Sequence, residues 1–279
     1  MQVPSLGLNR IIHPRLTFQE FAVLATSCGC SHIELRNDLD GVGLYDNLTT
    51  VEALHILTEN RLSLESINAL QNFNDRTEML QLRREELRDL LEAARALNCR
   101  SIVLCPVNGL GVSEDLQQWD DQTRFALTSY GPLFEEYGML GYVECLGFPQ
   151  SSLRSKAKAV RAIEESGYSH CYKLVHDTFH HALAGEVELF PEQTGLVHVS
   201  GVLPSAHQKP LSDSDRVLVT PLDVLDSKKQ VQALLDGGYK GVISFEPFNS
   251  TIQQLDQEVL VEQVKESIAY LFSDDAGTA

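Results

Sequence analysis

Four consecutive apolar segments in the second half of the chain each end in a carboxylate or an imidazole. The segments GYVEC, KLVHD, LVHVSG and VISFEPF place Glu144, Asp177, His198 and Glu246 at or beside their ends. A lone carboxylate in such a position is usually a solvated strand end or a helix cap. Glu144 and Glu246 differ, because they stand among apolar residues, where a buried carboxylate is costly unless it is paired or bound to a cation.

Three carboxylates and one imidazole that converged on one point would need a cation between them, because the carboxylates repel one another. Oxygen and nitrogen ligands of this kind suit Mn²⁺, Mg²⁺, Co²⁺ or Zn²⁺, and the lack of thiolates in the set argues against a structural zinc cage. We therefore expect one divalent metal ion. The six cysteines are scattered without a C-x-x-C pair, so we predict reduced, mostly buried thiols.

Convergence requires that the four segments be strands of one sheet. Short apolar runs alternate with stretches of helical periodicity, and the runs are Val3–Leu8, His32–Arg36, Leu62–Leu70, Ser101–Pro106, Leu140–Cys145, Tyr172–Asp177, Leu196–Ser200 and Gly241–Glu246. This alternation is typical of parallel β/α units, in a barrel or a doubly wound sheet. Eight strands in 279 residues, near the roughly 250 typical of the fold, favour a single (β/α)8 TIM barrel spanning residues 1–279.

In a (β/α)8 barrel the active site lies at the carboxyl ends of the strands, where the four side chains are predicted to stand. Among the helices, Thr17 is predicted to cap the first, and the sixth, in TFHHALAGEVELF, is predicted to be short. His176 precedes Asp177 in a strand and must point the other way, because side chains alternate. His181 is expected in the first turn of the short helix.

Charge and composition exclude several classes of partner. The net charge of −17 argues against nucleic acid, which requires a basic surface, and against an anionic membrane. The first residues lack the basic and apolar regions of a signal peptide, and no apolar run approaches the ~20 residues that span a bilayer. A cytoplasmic protein with a small uncharged or cation-assisted ligand is expected, and a homo-oligomer is compatible with these observations.

The order Glu, Asp, His, Glu on strands five to eight resembles the xylose isomerase-like TIM-barrel superfamily. DTFH at 177–180 is similar to its ketose 3-epimerase branch. A closer likeness, to the inosose isomerases, is carried by HIELR at 32–36, SINALQNFNDR at 66–76, VECLGFPQ at 143–150, VHDTFHHA at 175–182 and LSDSDRV at 211–217.

This resemblance implies that Glu144, Asp177, His198 and Glu246 are metal ligands. It also implies that His180 and Arg216 contact the substrate, a polyhydroxy ketone such as an inosose. With such a substrate, the ligand set suits isomerisation through an enediolate, with proton transfer by Glu144 and Glu246.

The family's usual PGxGxxD loop is replaced here by VLVTPLDVLD at 217–226, so the conformation of this part of the rim stays open. Three further hypotheses within the superfamily remain: a ketose 3-epimerase, a hydroxypyruvate isomerase and an inosose dehydratase. A non-catalytic sugar-binding barrel is a hypothesis of another class. Endonuclease IV is excluded, because Val217 stands where its D-x-H motif needs histidine.

Three residues on the early strands are left between two interpretations. Arg36, at the end of strand two, suits either the site or a salt bridge on the rim. Glu34 and Asn68 suit either the pocket or the core.

Overall fold

The computed structural model describes residues 4–109, 116–206 and 209–273. Its strands are all parallel and close into a barrel in sequence order, with β1 pairing both β2 and β8. The strands are β1 Leu6–Asn9, β2 His32–Arg36, β3 Ser63–Leu70, β4 Ser101–Leu104, β5 Leu140–Glu144, β6 Tyr172–Asp177, β7 Thr194–Val199 and β8 Val242–Phe245. The predicted (β/α)8 barrel is confirmed.

A helix follows each strand. The helices are α1 Phe18–Ser27, α2 Thr50–Glu59, α3 Leu80–Ala96, α4 Leu116–Tyr137, α5 Lys156–Glu165, α6 Thr178–Ala184, α7 Ser227–Asp236 and α8 Gln257–Leu271. Within the described parts of the chain, no helix combines the length and apolar character needed to cross a membrane.

Helix starts follow the capping chemistry of the sequence. The Thr17 side chain accepts a hydrogen bond from the Glu20 amide, and the Glu20 carboxylate accepts one from the Thr17 amide, so α1 begins with a capping box as predicted. Helix α6 has only seven residues and ends at Gly185, whose φ of 69° is left-handed. Asp177 is both the last residue of β6 and the cap of α6, so no loop separates them.

The barrel interior is partly polar. The larger apolar core fills the layer between strands and helices, and a smaller apolar cluster, which includes Val103, Val175 and Leu196, lies on the other face of the strands. Interiors of such barrels are usually filled by branched apolar side chains. Here the interior also holds fully buried polar groups, among them Glu34 and His198. A site therefore reaches down into the barrel.

Arg10 ties together two loops at the carboxyl end of the barrel. Its buried guanidinium donates to the carbonyl oxygen of Leu44 at 2.9 Å and to the Asp46 carboxylate at 2.5 Å. The other oxygen of Asp46 accepts from the Phe18 amide at the start of α1. The loop after β2 is thereby held against the beginning of α1, which leaves the mouth of the barrel with a defined edge.

A buried lysine supports β6 and α6 from outside the barrel. The Lys156 ammonium donates to Nδ1 of His176 at 2.9 Å and to Nδ1 of His181 at 2.8 Å. An ammonium can only donate, so both imidazoles must present an unprotonated Nδ1, and the His176 Nε2–H donates to Gln230. His176 therefore points away from the barrel axis and His181 lies in the first turn of α6, as predicted.

Lys156 makes the stability of the protein depend on pH above neutrality. Burial lowers the pKa of Lys156 from 10.5 to about 8. Between these values the unfolded chain binds the proton more strongly, so the free energy of unfolding rises with pH. The shift is worth up to about 3 kcal/mol.

We expect the difference in unfolding free energy between wild type and Lys156→Met to grow as the pH rises from 7 to 10. Denaturant titrations at each pH measure it. Lys158→Met, at an exposed lysine of the same helix paired with Asp120, is the control and should give curves parallel to wild type. Parallel curves for Lys156→Met would contradict the assignment.

Candidate metal and substrate site

A cavity of about 280 Å³ opens at the carboxyl end of the barrel. Its wall combines residues from strand ends and from the loops that follow. Its lining includes Arg36, Asp38, Asn68, Cys105, Glu144, Phe148, His180, Asp213, Arg216, Glu246 and Phe248. The volume suits a small molecule of sugar size, and the wall is dominated by hydrogen-bonding groups.

The four side chains that the sequence singled out come together at the base of this cavity. Glu144 ends β5, Asp177 ends β6, His198 lies in β7, and Glu246 directly follows β8. One ligand atom from each lies within 4.8 Å of the others, and all four residues are buried. The convergence is an observation of the structure, whereas the role of the four as metal ligands stays a prediction.

Charge and donor chemistry fit a divalent cation at this point. Four carboxylates are buried here: Asp177 and Glu246 pair with the guanidinium groups of Arg216 and Arg36, whereas Glu34 and Glu144 face His198. The carboxylates outnumber the two guanidinium groups, so a divalent cation with His198 as a neutral ligand would supply the missing positive charge. Three carboxylates with one imidazole match the oxygen and nitrogen ligands of such ions.

Glu246 is the most firmly held of the four. Its Oε1 accepts from Arg36 at 2.9 Å, from Asn9 at 3.0 Å and from Asn68 at 3.4 Å. Its Oε2 lies 2.8 Å from Arg216. Burial raises the pKa of Glu246 to about 7 in spite of the nearby cations. This oxygen network fixes the orientation of the carboxylate before any ligand binds.

Arg216 is almost fully buried and is not a side chain of the exposed rim. Its Nη2 donates to Asp177 Oδ2 at 2.6 Å and to Glu246 Oε2 at 2.8 Å, and its Nη1 donates to Asp213 Oδ1 at 3.3 Å. Burial alone would raise the pKa of Asp177, but the charge of Arg216 lowers it to about 2. Arg216 borders the cavity, as a substrate contact requires, and it also neutralises two of the predicted ligands.

Glu144 has weaker partners than Glu246. Its Oε1 lies 3.1 Å from His198 Nδ1, and its Oε2 accepts from the Cys105 thiol at 3.3 Å. Burial would raise the pKa of Glu144, but the hydrogen bond and charge of His198 lower it. Glu144 thus keeps one oxygen against only a weak donor, at the wall of the cavity.

His180 borders the cavity on the side of α6. Its Nδ1 accepts from the Gly147 amide at 3.2 Å, and its ring makes edge contacts with Phe148 and Phe179. Burial lowers the pKa of His180, so the ring is neutral at pH 7. Because Nδ1 accepts, the proton is on Nε2, which can donate to a ligand hydroxyl.

The structure places the three residues that the sequence left between two interpretations. Arg36 lines the cavity and also forms a salt bridge with Asp38 and Glu246, so both interpretations hold. Asn68 lines the cavity, whereas Glu34 lies below it against His198. The rim without the usual glycines is ordered by Asp223, whose carboxylate accepts from the Val202, Leu225 and Ser227 amides.

Sequence reasoning missed Asn9 and Cys105, which contact Glu246 and Glu144. A signal for both was present. Asn9 is the last residue of β1 and Cys105 directly follows β4, so the strand-end rule applied to the later strands would have found them.

Known proteins that resemble this chain in sequence or in structure match it over most of its length. An inosose isomerase of Halalkalibacterium halodurans is 25% identical over 257 residues, covering 88% of each chain. A solved xylose isomerase domain-containing protein of Salmonella typhimurium is 32% identical, with a TM-score of 0.88 over 98% of this chain and 99% of that one. The IolI protein, solved with a zinc atom, has a TM-score of 0.83 at 20% identity over 96% and 97%.

The family model for the xylose isomerase-like TIM barrel matches residues 22–273, which is most of the chain. The match includes seven of the eight strands and all four of the converging side chains. The chain belongs to the xylose isomerase-like TIM-barrel family.

Proposed function

We propose that this protein is a divalent-metal-dependent isomerase of neutral polyhydroxy ketones, and that it converts 2-keto-myo-inositol to 1-keto-D-chiro-inositol. The observation that carries the proposal is the buried cluster of Glu144, Asp177, His198 and Glu246 at the base of a sugar-sized cavity. The relative named inosose isomerase and the zinc atom of the IolI protein support it.

Glu144, Asp177, His198 and Glu246 would hold the ion, which can be Mn²⁺, Zn²⁺, Co²⁺ or Mg²⁺ by its donor set. When bound, the ion supplies positive charge that stabilises the negative charge developing on the substrate carbonyl as the neighbouring C–H bond breaks.

Proton transfer falls to the two glutamates. Hydrogen bonds to a carboxylate lower its basicity, and Glu246 Oε1 accepts three of them from Arg36, Asn9 and Asn68. Glu144 Oε2 accepts only the weak Cys105 thiol among the described residues. Burial nevertheless raises the pKa of Glu246 to about 7, whereas His198 lowers the pKa of Glu144 in spite of its burial. One carboxylate of the pair would remove the proton from carbon, and the other would return one.

Orientation of the substrate falls to His180 and Arg216. The neutral His180 ring, fixed by the Gly147 amide, can donate its Nε2–H to a hydroxyl oxygen. Arg216 holds Asp177 and Glu246 in place. Ser200 and Asp213 accept two more of its five N–H groups, which leaves one N–H on Nη1 for a hydroxyl oxygen at the cavity wall. The Phe248 ring covers the Arg216 guanidinium at 4.6 Å and gives this wall an apolar face.

The charges of the cavity favour a neutral substrate. Arg36 is paired with Asp38 and Glu246, and Arg216 with Asp177, Glu246 and Asp213. No guanidinium of the described cavity is therefore left to balance the carboxylate of hydroxypyruvate or a phosphate ester. Among the alternatives, this disfavours a hydroxypyruvate isomerase and leaves a ketose 3-epimerase and an inosose dehydratase as outcomes of substrate profiling.

We expect the metal-loaded protein to act on inososes with kcat/KM at least about 10²-fold above that for hydroxypyruvate or ketose phosphates, because an unbalanced anion near buried carboxylates costs several kcal/mol. NMR assays in D₂O with inososes, ketohexoses and the anionic ketones measure this, and deuterium should enter next to the ketone. Turnover of an anionic ketone as fast as any neutral one would contradict the proposal.

We expect one divalent ion per chain by elemental analysis, and a lower Tm after chelation. An ion at 100 times its Kd stabilises the folded protein by about 2.7 kcal/mol. Asp177→Asn should weaken metal binding and shrink this difference, whereas Asp120→Asn, at an exposed carboxylate paired with Lys158, should leave it unchanged. Identical melting of chelated and metal-treated wild type, with no bound metal, would remove the site.

Replacing Glu144 or Glu246 with Gln keeps the size of the side chain and removes its basic carboxylate. We expect each variant to lower kcat by about 10²-fold or more with little change in KM, because the lost interaction belongs to the transition state.

Glu65→Gln provides a matched control. Glu65 is a half-buried glutamate outside the cavity, its carboxylate accepts from Tyr142 at 3.4 Å, and desolvation raises its pKa to about 7. This variant should keep wild-type kcat. If the Glu144 and Glu246 variants also keep it, proton transfer belongs to other groups.

A further inference from the structure

Glu34 is a fully buried carboxylate inside the barrel, and the mechanism above gives it no task. It lies on β2 and is 0% exposed. Its Oε2 accepts from the Ser66 hydroxyl at 2.6 Å and lies 3.1 Å from His198 Nε2. A carboxylate in this position is costly unless it is paired, and an apolar residue would avoid that cost.

His198 uses its two ring nitrogens in different directions. Nδ1 faces the cluster, 3.1 Å from Glu144 and 3.3 Å from Glu246, and Nε2 faces Glu34. A neutral imidazole carries one proton and binds a cation through the other nitrogen. Carboxylates face both nitrogens, but a cation in the cluster would bind the Nδ1 lone pair, and the acceptor at Nε2 would then hold the ring proton there.

We propose that Glu34 is a positioning residue that fixes the tautomer and ring orientation of His198 for metal binding, with Ser66 holding the carboxylate in turn. The proposal rests on the metal site of the proposed function. Carboxylates that accept from the second nitrogen of a metal-binding histidine typically change metal affinity by about 10–100-fold when removed. The three side chains come from β2, β3 and β7, so their meeting is a consequence of barrel closure.

The experiment compares Zn²⁺ affinity of wild type, Glu34→Gln and Glu34→Leu by competition with a chromophoric chelator. Glu34→Leu removes the acceptor and should weaken Zn²⁺ binding by about 10–100-fold. Glu34→Gln keeps an amide oxygen that accepts from Nε2–H but loses the charge, so its affinity should lie between the two. Ser66→Ala leaves the carboxylate in place and should have a smaller effect than Glu34→Leu.

A ring-nitrogen readout separates positioning from a merely structural role. In ¹⁵N NMR of the Zn²⁺-loaded wild type, the His198 Nε2–H should exchange slowly with solvent, and in Glu34→Leu this protection should be lost. Glu65→Gln is the control, because Glu65 pairs with Tyr142, and it should keep wild-type Zn²⁺ affinity and the protected Nε2–H.

The outcomes distinguish failure of the proposed metal site from failure of the proposed role of Glu34. If wild type binds no Zn²⁺, the metal site of the proposed function fails and the role of Glu34 fails with it. If wild type binds Zn²⁺ and both Glu34 variants bind it equally well, Glu34 has no positioning role while the metal site stands. A lower Tm of the metal-free variants with unchanged Zn²⁺ affinity also overturns the role. Should Glu34→Leu not fold, Glu34→Gln and Ser66→Ala decide the question.

Discussion

The repulsion among four carboxylates buried inside the barrel, at and below the base of the cavity, is the constraint on which the rest of the site depends. Glu34, Glu144, Asp177 and Glu246 are each under 5% exposed, so water does little to screen them. Two buried guanidinium groups pair with Asp177 and Glu246, and His198 lies against Glu34 and Glu144, so the carboxylates remain in excess of the guanidinium groups. A divalent cation suits this place because it would balance excess negative charge that the two guanidinium groups leave.

The guanidinium groups also organise the carboxylates in space. Arg36 joins the rim residue Asp38 to Glu246, and Arg216 joins Asp177 to Glu246. Glu246 is thereby connected to β2 and β6 although it follows β8. Because each cation is shared between carboxylates, neither offers a free positive charge to an anionic substrate. The same pairing that makes the buried acids tolerable is therefore the basis for proposing a neutral substrate.

Support from outside the barrel completes the arrangement at β6. Asp177 faces the cluster with one oxygen and caps α6 with the other, which accepts from the His180 amide at 2.9 Å. Directly before and after this junction, His176 and His181 receive hydrogen bonds from Lys156. The strand end, the short helix and the His180 ring are thus held as one unit, which limits how far a predicted ligand and a predicted substrate contact can move apart.

The sequence by itself determined the alternation of strands and helices, the barrel and the strand ends that carry chemistry, because periodicity and capping are local properties of the chain. Glu144, Asp177, His198, Glu246 and His180 were all named from it, and all lie at the base or wall of one cavity. The opposite direction of His176 also followed from strand alternation.

Only the tertiary structure decided which side chains meet across the barrel. Asn9 and Arg36 contact Glu246 over separations of 237 and 210 residues, and Glu34 meets His198 over 164. Alternation along a strand tells which face a side chain takes, but its depth in the barrel depends on the register of neighbouring strands and on closure of β1 against β8. Closure is a property of the whole sheet, so no segment of the chain encodes it alone.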